Sequence, residues 1–336
     1  MPGYNVCVVG ATGAVGQELL RVLEERNFPL NNLRVCATQR SAGKQVTYRG
    51  EQLTVEETRP AVFDGIDIAL FAGGAASKEF AREAATRGAV VIDNSSAFRL
   101  EPDVPLVVPE VNPEDVKWHK GIIANPNCST IIMVVPLKPL YDAAGIRRVV
   151  VATYQAVSGA GAAAIKELEA QTKAVLAGED YPPQVFPYQI AFNLIPHIDV
   201  FMDMGYTREE WKMVKETQKI FHDDTIRVTA TTVRVPVFRS HSEAVNVETI
   251  KPLGVEKARS LLAGAPGVVV IDDPVAKQYP MPLTATGRNE VFVGRIRQDN
   301  SLDNGLNLWV VADQLRKGAA TNAVQIAELV IQYGCL

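Results

Sequence analysis

Residues 4–25 join an apolar, β-branched run, a glycine-rich turn and an amphipathic run without interruption. YNVCVVG has the composition of a buried strand, and AVGQELLRVLEER has apolar residues at helical spacing. The turn between them, GATGAVG, contains Gly10, Gly13 and Gly16. This order is typical of a unit that binds a dinucleotide pyrophosphate on amides at the helix start. The G-x-x-G-x-x-G spacing is weak alone, but the α/β pattern that follows it favours a nucleotide site.

Strand-like and helical runs continue to alternate after this turn. DIALFAGG and AVVIDNSS are typical of strands, and SKEFAREAATRG is typical of a helix between them. Such alternation predicts a Rossmann-like parallel sheet with right-handed crossovers. Ligands of these sheets lie beyond the carboxyl ends of the strands. We therefore expect one sheet edge to carry several residues that follow the strands: Gly73, Gly74, Ser95, Ser96 and Arg99.

The end of the second strand indicates which dinucleotide is bound. A unit that prefers NAD usually has an acidic residue there, about 20 residues after the glycines, to bind the ribose hydroxyls. This chain instead has Arg40 and Ser41, with Thr38 and Lys44 close by. A cation and hydroxyl groups suit a 2′-phosphate, so the sequence predicts NADP. The simpler alternative is a solvated basic turn.

Composition narrows the class of protein. A length of 336 residues favours two domains or one large one, and a formal net charge of −4 gives no electrostatic case for nucleic acid or an anionic membrane. We expect no membrane span, since no apolar run approaches about 20 residues. MPGYNVCVVG also lacks the layout of a signal peptide. These features favour a cytoplasmic enzyme.

The four cysteines lie in different sequence contexts. Since none forms a C-x-x-C pair, we expect no metal site and no disulfide framework. Cys7 and Cys36 lie in apolar runs typical of buried strands, and Cys335 lies next to the C-terminus. Cys128 follows a strand-like run, in NPNCST, just before a predicted helix. A helix N-terminus can lower a thiol pKa and so favour the nucleophilic thiolate, although Cys128 could instead be a small capping residue.

A thiolate nucleophile needs a group that moves protons, and histidine is the usual one. The two candidates are His241, in the strand-like run 231–248, and His197, in NLIPHID. An unbroken strand would place Arg234 and His241 on opposite faces, unless a bulge intervenes. Residue spacing alone does not choose between the two histidines.

The motifs taken together, in order along the chain, resemble one family. GATGAVG, SSAFR, NPNCST, QAVSGAG, EEWK, RVPVFRSHSE and DQLRKGAA are similar to those of the bacterial type of aspartate-β-semialdehyde dehydrogenase. The resemblance implies that Cys128 attacks L-aspartyl 4-phosphate, expels phosphate and forms a thioester that NADPH reduces to L-aspartate 4-semialdehyde. It implies that His241 is the acid/base. The product would serve biosynthesis of lysine and diaminopimelate, threonine, methionine and isoleucine.

The resemblance also implies roles for other residues. Gln155 would orient the substrate, Glu209 would bind its ammonium group and Arg234 its carboxylate. Phosphate would be bound by Lys212, Arg99 and Asn127. The remaining implied positions contact the cofactor: Gly10, Thr12, Gly13, Ala14, Val15, Arg40, Ser41, Ser158, Gly159 and Gln314. Without the family, REEWK would be interpreted as a solvated helix start.

The pattern of elements changes near Cys128. Long helical runs and five strand-like runs follow, which predicts an α+β catalytic and dimerisation domain with a mixed sheet at residues 128–313. Residues 1–127 and 314–336 would form the NADP-binding domain, because the resemblance implies that the last helix folds back onto it. It also implies a homodimer formed through the second-domain sheet.

Alternative functions remain open. N-acetyl-γ-glutamyl-phosphate reductase uses the same thioester chemistry, but its motif has glycine where this chain has Asn127. A thioester-reducing enzyme such as malonyl-CoA reductase shares the scaffold. A catalytically silent nucleotide-binding homologue is the alternative of another class, and the presence of Cys128 and His241 argues against it.

Overall fold

The computed structural model of the protein describes residues 3–336. They form two compact units. The first contains the residues up to Asn127 together with Ala319–Leu336, and the second is Cys128–Gly318.

The helices and strands are labelled in chain order. The strands are β1 (Tyr4–Val9), β2 (Leu30–Ala37), β3 (Gln45–Tyr48), β4 (Glu51–Thr54), β5 (Glu56–Glu57), β6 (Ile68–Phe71), β7 (Val90–Asp93), β8 (Ile122–Ala124), β9 (Ile146–Gln155), β10 (Arg227–Arg234), β11 (His241–Thr249), β12 (Val268–Val270), β13 (Val291–Gln298) and β14 (Gly305–Ala312). The α-helices are α1 (Ala14–Glu25), α2 (Ala75–Thr86), α3 (Cys128–Ala144), α4 (Ala162–Ala177), α5 (Arg208–Phe221), α6 (Val255–Ala263), α7 (Pro282–Ala285) and α8 (Thr321–Tyr333).

A six-stranded sheet organises the first unit, in the order β5-β2-β1-β6-β7-β8. Every neighbouring pair is parallel, which confirms the predicted Rossmann-like sheet. Parallel neighbours require crossover connections, and α1 and α2 supply two of them. Strands β3 and β4 form a separate hairpin.

Helix α8 belongs to the core of the first unit, as expected for the last helix. Val324 of α8 lies in one buried cluster with Val6 of β1 and Leu19 of α1. Asn322, also on α8, donates from Nδ2 to Val107 O at 2.9 Å and to Asn125 Oδ1 at 2.7 Å. The start of this helix is therefore fixed by polar contacts as well as by apolar packing.

A second six-stranded sheet, in the order β10-β9-β11-β14-β13-β12, organises the second unit. The β9/β10 and β12/β13 pairs are parallel and the others antiparallel, which confirms the mixed sheet. Helix α3 packs against β9, β11, β13 and β14. Residues 131–137 of this helix are all apolar and buried, as expected for a helical segment enclosed by its own unit.

Three elements of the second unit are not predicted from the sequence. Strand β14, GLNLWVVA, is apolar enough to be predicted, α6 is a short helix with modest periodicity, and α7 is a single turn of four residues. The proline-rich segment 179–199 was predicted to be irregular, and its residues form neither helix nor strand apart from one bridge at Ile195.

The strand-like run 231–248 is interrupted. Strand β10 ends at Arg234, β11 begins at His241, and residues 235–240 form the connection. Ser240 has a left-handed backbone with φ of 74°, which re-aims the chain just before His241. The interruption removes the condition under which Arg234 and His241 would lie on opposite faces, and both side chains are buried on the inner face of the sheet.

Residues 3–336 contain neither a helix that could span a membrane nor a cluster of side chains suited to a metal ion. Every helix among them is too short or too polar to cross a lipid bilayer. The same residues contain no cluster of three or more His, Cys, Asp or Glu side chains suited to a metal ion.

Candidate active site

Cys128 is the first residue of α3, which confirms its predicted place in the first turn of a helix. It is partly exposed and not in a disulfide, whereas Cys7 and Cys36 are buried as predicted. The first turn of α3 contains no acidic residue. The positive end of the helix dipole therefore favours negative charge at this position.

Gly318 contacts Cys128 closely within the second unit. A Cβ added at Gly318 would lie 2.9 Å from Cys128 Cβ and 3.3 Å from its Cα. Any larger side chain would displace the cysteine, so the position requires glycine. Gly318 was not singled out from the sequence, because the contact joins distant parts of the chain and DQLRKGAA contains no local sign of it.

His241 is fully buried at the start of β11. Its Nδ1 accepts a hydrogen bond from Ala156 N–H at 3.0 Å, so the neutral ring carries its proton on Nε2. Nε2 has no hydrogen-bond partner among the described residues. Burial first, and then the positive charge of Arg234, lower the pKa of His241 well below its ordinary value. The imidazole ring is therefore neutral, and its Nε2–H is a hydrogen-bond donor with no partner among the described residues.

The other histidines lie in different settings. His197 stacks on Phe201 with ring centroids 4.9 Å apart, in the irregular segment of the second unit. His119 contacts Cys335 O at 2.8 Å in the first unit. His222 caps α5 with a left-handed backbone. The structure thus favours His241 over its rival His197.

Gln314 holds the turn that precedes His241. Its Oε1 accepts from Ser240 N–H at 2.8 Å, and its Nε2 donates to Ser158 Oγ. Ser158, Ser240 and Gln314 are all buried. The amide of Gln314 therefore ties the 3₁₀ turn at 157–160 to the left-handed residue that aims His241.

Arg234 and Gln155 are neighbours across β10 and β9. Arg234 Nη1 donates to Ala156 O at 2.7 Å, and burial lowers the pKa of its guanidinium, against the charges of Glu209 and Cys128. A Cβ added at Gly159 would lie 2.9 Å from Arg234 Nη1 and 3.3 Å from His241 Nε2. Gly159 thus leaves open the space onto which both groups face.

Gln155 is the centre of a buried polar network. Its Nε2 lies 2.9 Å from Ser129 Oγ and 3.2 Å from Glu209 Oε1. Glu209 Oε2 accepts from Lys212 Nζ at 3.0 Å. Burial by itself would lower the pKa of Lys212. The negative charges of Glu209 and Asp199 outweigh this effect and raise the pKa above its ordinary value.

Helix α5 presents Glu209 and Lys212 because its start is firmly fixed. Thr207 caps the helix: its Oγ1 accepts from Glu210 N–H, and Glu210 Oε2 accepts from Thr207 N–H at 2.7 Å. This is a capping box, so REEWK is more than a solvated helix start. The second unit thereby brings together a thiol, an imidazole, two cations and a carboxylate, a set suited to nucleophilic attack on a small substrate of mixed charge.

The glycine turn of the first unit has the geometry of a dinucleotide site. Gly10 has φ of 84°, and a Cβ at Gly16 would lie 2.2 Å from Gly10 O. Gly13 caps α1 without a side-chain hydrogen bond to the helix start, and the first turn, which includes Ala14 and Val15, has no acid. The amides at this helix start therefore remain available to a pyrophosphate, and these residues fit the cofactor.

The predicted 2′-phosphate residues lie in a 3₁₀ turn, Gln39–Ser41, directly after β2. Arg40 is exposed and Ser41 is buried. Lys44 Nζ lies 3.4 Å from Ser41 Oγ. The turn thus presents cations and a hydroxyl group together.

Arg99 and Asn127 belong to the first unit. Arg99 is buried and donates from Nε to Asn125 O at 2.9 Å and from Nη2 to Asn94 O at 2.8 Å. Asn94 follows β7, and Asn125 and Asn127 follow β8. Arg99 is therefore fixed at the carboxyl edge of the parallel sheet, as predicted from strand order.

Family models match both units of the chain. The model described as "Semialdehyde dehydrogenase, NAD binding domain" matches residues 5–119. The model described as "Semialdehyde dehydrogenase, dimerisation domain" matches residues 137–317.

Curated relatives match over nearly the whole chain. Aspartate-semialdehyde dehydrogenase of Aquifex aeolicus is 62% identical over 99% of this chain and 100% of its own. The Bacillus subtilis enzyme of that name is 55% identical over 97% of each chain.

Solved structures agree with these matches. Aspartate semialdehyde dehydrogenase II of Vibrio cholerae, complexed with ASA, has a TM-score of 0.96, with 51% identity and 99% of both chains covered. Aspartate semialdehyde dehydrogenase of Candida albicans, solved with NADP, has a TM-score of 0.76, with 26% identity and 98% of both chains covered.

Proposed function

Since the chain belongs to the aspartate-semialdehyde dehydrogenase family, we propose that it reduces L-aspartyl 4-phosphate to L-aspartate 4-semialdehyde and phosphate through a thioester on Cys128, with NADPH as reductant. The observation that carries this proposal is the position of Cys128 at the start of α3, in the same unit as the unused Nε2–H of His241. We place the reaction in the cytoplasm and in biosynthesis of lysine and diaminopimelate, threonine, methionine and isoleucine.

The charges of the second unit support the choice of substrate. L-aspartyl 4-phosphate carries a carboxylate, an ammonium group and a phosphate. Arg234 can bind the carboxylate through two parallel hydrogen bonds, and Lys212 offers a compact charge to phosphate. Glu209, bonded to Gln155 and Lys212, suits the ammonium group. We assign further phosphate contacts to Arg99 and Asn127. The ASA-bound Vibrio cholerae relative supports this substrate class.

Formation of the thioester begins with the Cys128 thiolate. Its sulfur attacks the acyl carbon, a C–S bond forms, and the carbonyl electrons move onto oxygen. When they return, the bond between carbon and the phosphate oxygen breaks and phosphate leaves with that electron pair. Gln155 would orient the acyl group, since its side chain is fixed by Ser129 and Glu209. Positioning of this kind supplies much of an enzyme's rate.

His241 acts at the acyl oxygen. Because Ala156 N–H occupies Nδ1, the neutral ring has its proton on Nε2 and would donate a hydrogen bond to the negative charge that develops there. Formation of imidazolium would require breaking the Ala156 hydrogen bond, which agrees with the lowered pKa of His241. We therefore narrow the acid/base role to donation from Nε2.

NADP is the cofactor that we propose, and when bound in its reduced form it supplies the hydride. The glycine turn, with Thr12, would hold the pyrophosphate, and Arg40 with Ser41 would hold the 2′-phosphate. We assign Ser158, Gly159 and Gln314 to contacts near the nicotinamide. The Candida albicans neighbour solved with NADP supports this choice.

We expect Arg40→Glu to shift cofactor preference towards NAD, because the acid removes a cation from the 2′-phosphate and offers a partner to ribose hydroxyls. The ratio of kcat/KM for NADP to that for NAD should fall roughly tenfold to a hundredfold, the worth of one hydrogen bond to a charged group. Steady-state rates with both cofactors measure this ratio. Arg49→Glu, in the exposed turn between β3 and β4, is the matched charge control. An unchanged ratio would remove Arg40 from the site.

We expect Gly159→Ala to lower kcat/KM for the semialdehyde by about a hundredfold. The new Cβ would meet Arg234 Nη1 at 2.9 Å and His241 Cε1 at 3.2 Å, and displacements of about 1 Å have effects of this size. Steady-state measurement of kcat/KM for Gly159→Ala and for a control variant checks this loss. Gly254→Ala is the control, since nothing lies within 4 Å of its added Cβ. Equal effects of the two changes would contradict the proposed role.

The second unit also supports a homodimer. Tyr154 and Trp309 lie on the outer face of its sheet, with ring centroids 5.6 Å apart, and Tyr154 is 36% exposed. Aromatic side chains on an open sheet face suit an interface. We propose that two copies associate through this face, as the description of the matching family model suggests.

A coupled spectrophotometric assay tests the proposed function. The enzyme is mixed with L-aspartate 4-semialdehyde, phosphate and NADP, and the rise in NADPH absorbance is followed. N-acetylglutamate semialdehyde and malonate semialdehyde with CoA, the substrates of the alternative enzymes, are the comparisons. We expect turnover with the aspartate compound only. Preference for another substrate would replace the proposal, and absence of turnover with all three would favour the catalytically silent homologue.

A further inference from the structure

Glu243 is a buried acid for which the proposed mechanism has no use. It lies on β11, two residues after His241, and its side chain is 0% exposed. Neither carboxyl oxygen has a hydrogen-bond partner among residues 3–336. A buried, uncompensated carboxylate would cost several kcal/mol, so such a group is kept only where its environment fixes its charge state.

The sheet register places Glu243 directly behind the proposed substrate-binding side chains. Arg234 and Gln155 pair across β10 and β9, and His241 pairs with Ala312 of β14. These residues form the first row on the inner face. One step deeper along the same strands lies a second row: Thr232, Thr153, Glu243 and Val310.

The second row supports the first through Thr153. The hydroxyl of Thr153 accepts from Gln155 Nε2 at 3.3 Å, and Thr153 is the cross-strand partner of Glu243. The row below, which includes Val151 and Val245, is apolar and buried. Glu243 therefore stands at the boundary between the apolar core and the groups that would hold the substrate.

Few charges act on Glu243. Burial first, and then the negative charge of Glu209, raise the pKa of Glu243 well above its ordinary value. On its own strand the inner-facing titratable neighbour is His241, and the inner faces of β9 and β14 carry none. Lys317 is fully buried in the turn that follows β14.

Two further elements contribute titratable groups. Helix α3 packs against β11 and carries Cys128 at its start. Farther along α3, Lys138 binds Asp142, and Tyr141 binds Asp223. Strand β10 contributes Arg234, which is bonded to Ala156 O.

We propose that Glu243 is a positioning residue: as an uncharged carboxylic acid it fills the second row behind Gln155 and adds no negative charge to that of Glu209. This proposal rests on the proposed function. A second carboxylate beside Glu209 would oppose the thiolate of Cys128 and the approach of an anionic acyl phosphate. Activity should then fall as rising pH ionises Glu243.

The first test measures thermal unfolding against pH for wild type and Glu243→Gln. In the unfolded chain a glutamate ionises at about pH 4.3, whereas folded Glu243 would keep its proton above that pH. Between the two pKa values the folded state holds the extra proton, so wild-type stability is greatest below the unfolded pKa and falls as pH rises towards the folded one. The amide cannot titrate. The Tm of Glu243→Gln relative to wild type should therefore rise by at least about 2 °C between about pH 5 and about pH 8.

Glu248→Gln is the matched control, because Glu248 lies on the same strand but is partly exposed and paired with Arg147. Its Tm relative to wild type should not rise with pH. If Glu243→Gln does not fold, Glu243→Met, of similar length and uncharged, takes its place. A Tm difference that is independent of pH would overturn the proposal, since Glu243 would then be ionised in the folded protein.

The second test measures kcat and kcat/KM against pH. Glu243→Gln should keep kcat within about tenfold of wild type near neutral pH and should retain kcat/KM to higher pH. A larger loss of kcat would overturn the positioning role by making Glu243 a proton-transfer group. An unchanged fall of kcat/KM at high pH would also overturn it. If wild type itself is inactive with L-aspartate 4-semialdehyde, the proposed function fails, while the Tm test still determines the charge of Glu243.

Discussion

Cys128→Ala is expected to abolish turnover, with kcat reduced by at least about 10⁴-fold, because the proposed acyl intermediate is a thioester on the Cys128 sulfur. Loss of the catalytic nucleophile of a serine protease has an effect at least as large as this. The helix start that surrounds the sulfur would persist without it, since α3 is held by its buried apolar residues. Folding and NADPH affinity should therefore be unchanged, as measured by thermal unfolding and by cofactor fluorescence titration.

Cys335→Ala is the control for this change. Cys335 is also a partly exposed thiol outside any disulfide, but it lies at the end of the chain beyond α8. Its replacement should leave kcat within about twofold of wild type, as is usual for a surface change. Retained turnover in Cys128→Ala, or equal losses in the two variants, would refute the covalent route.

His241→Asn is expected to lower kcat by about 10²- to 10³-fold, the range found when one donor to an oxyanion is lost. The shorter amide cannot accept from Ala156 N–H at the position of Nδ1 and also reach the place where Nε2–H now points. Single-turnover formation of NADPH from the semialdehyde isolates this step from product release.

His197→Asn is the matched control. His197 stacks on Phe201 rather than on any proposed substrate-binding residue, so its replacement should change the rate less than about threefold. The reverse order of effects would move the acid/base role to His197. Equal and small effects would mean that neither ring contributes to the chemical step.

Much of the fold was predictable because its signals are local. The glycine turn, α1 and the start of α3 at Cys128 follow from glycine placement, apolar spacing and the strand-breaking Pro126. The start of α5 has a similar local origin, since Thr207 and Glu210 complete their capping box within three residues.

The geometry of the site depends on contacts that join distant residues. Period-two alternation placed Arg234 and His241 on opposite faces, whereas Ser240 at φ of 74° brings both to the inner face. That turn is held by Gln314, far along the chain. The closeness of Gly318 to Cys128 is likewise tertiary.

The sequence does not single out Glu243, for a related reason. The run SEAVNVE alternates, but the alternation does not reveal which face is enclosed, nor that the acid lies in a row behind Gln155. Only the pairing of β11 with β9 and β14 supplies that information, because register sets which residues share a face across strands.

The central claim is that Cys128 carries the acyl group during turnover. Acid quenching of the enzyme with semialdehyde and NADP in the absence of phosphate, followed by peptide mass spectrometry, tests it most directly. We predict an aspartyl adduct on the peptide that contains Cys128, lost on addition of phosphate and absent from Cys128→Ala. An adduct on another residue, or active enzyme that never shows one on Cys128, would contradict the account.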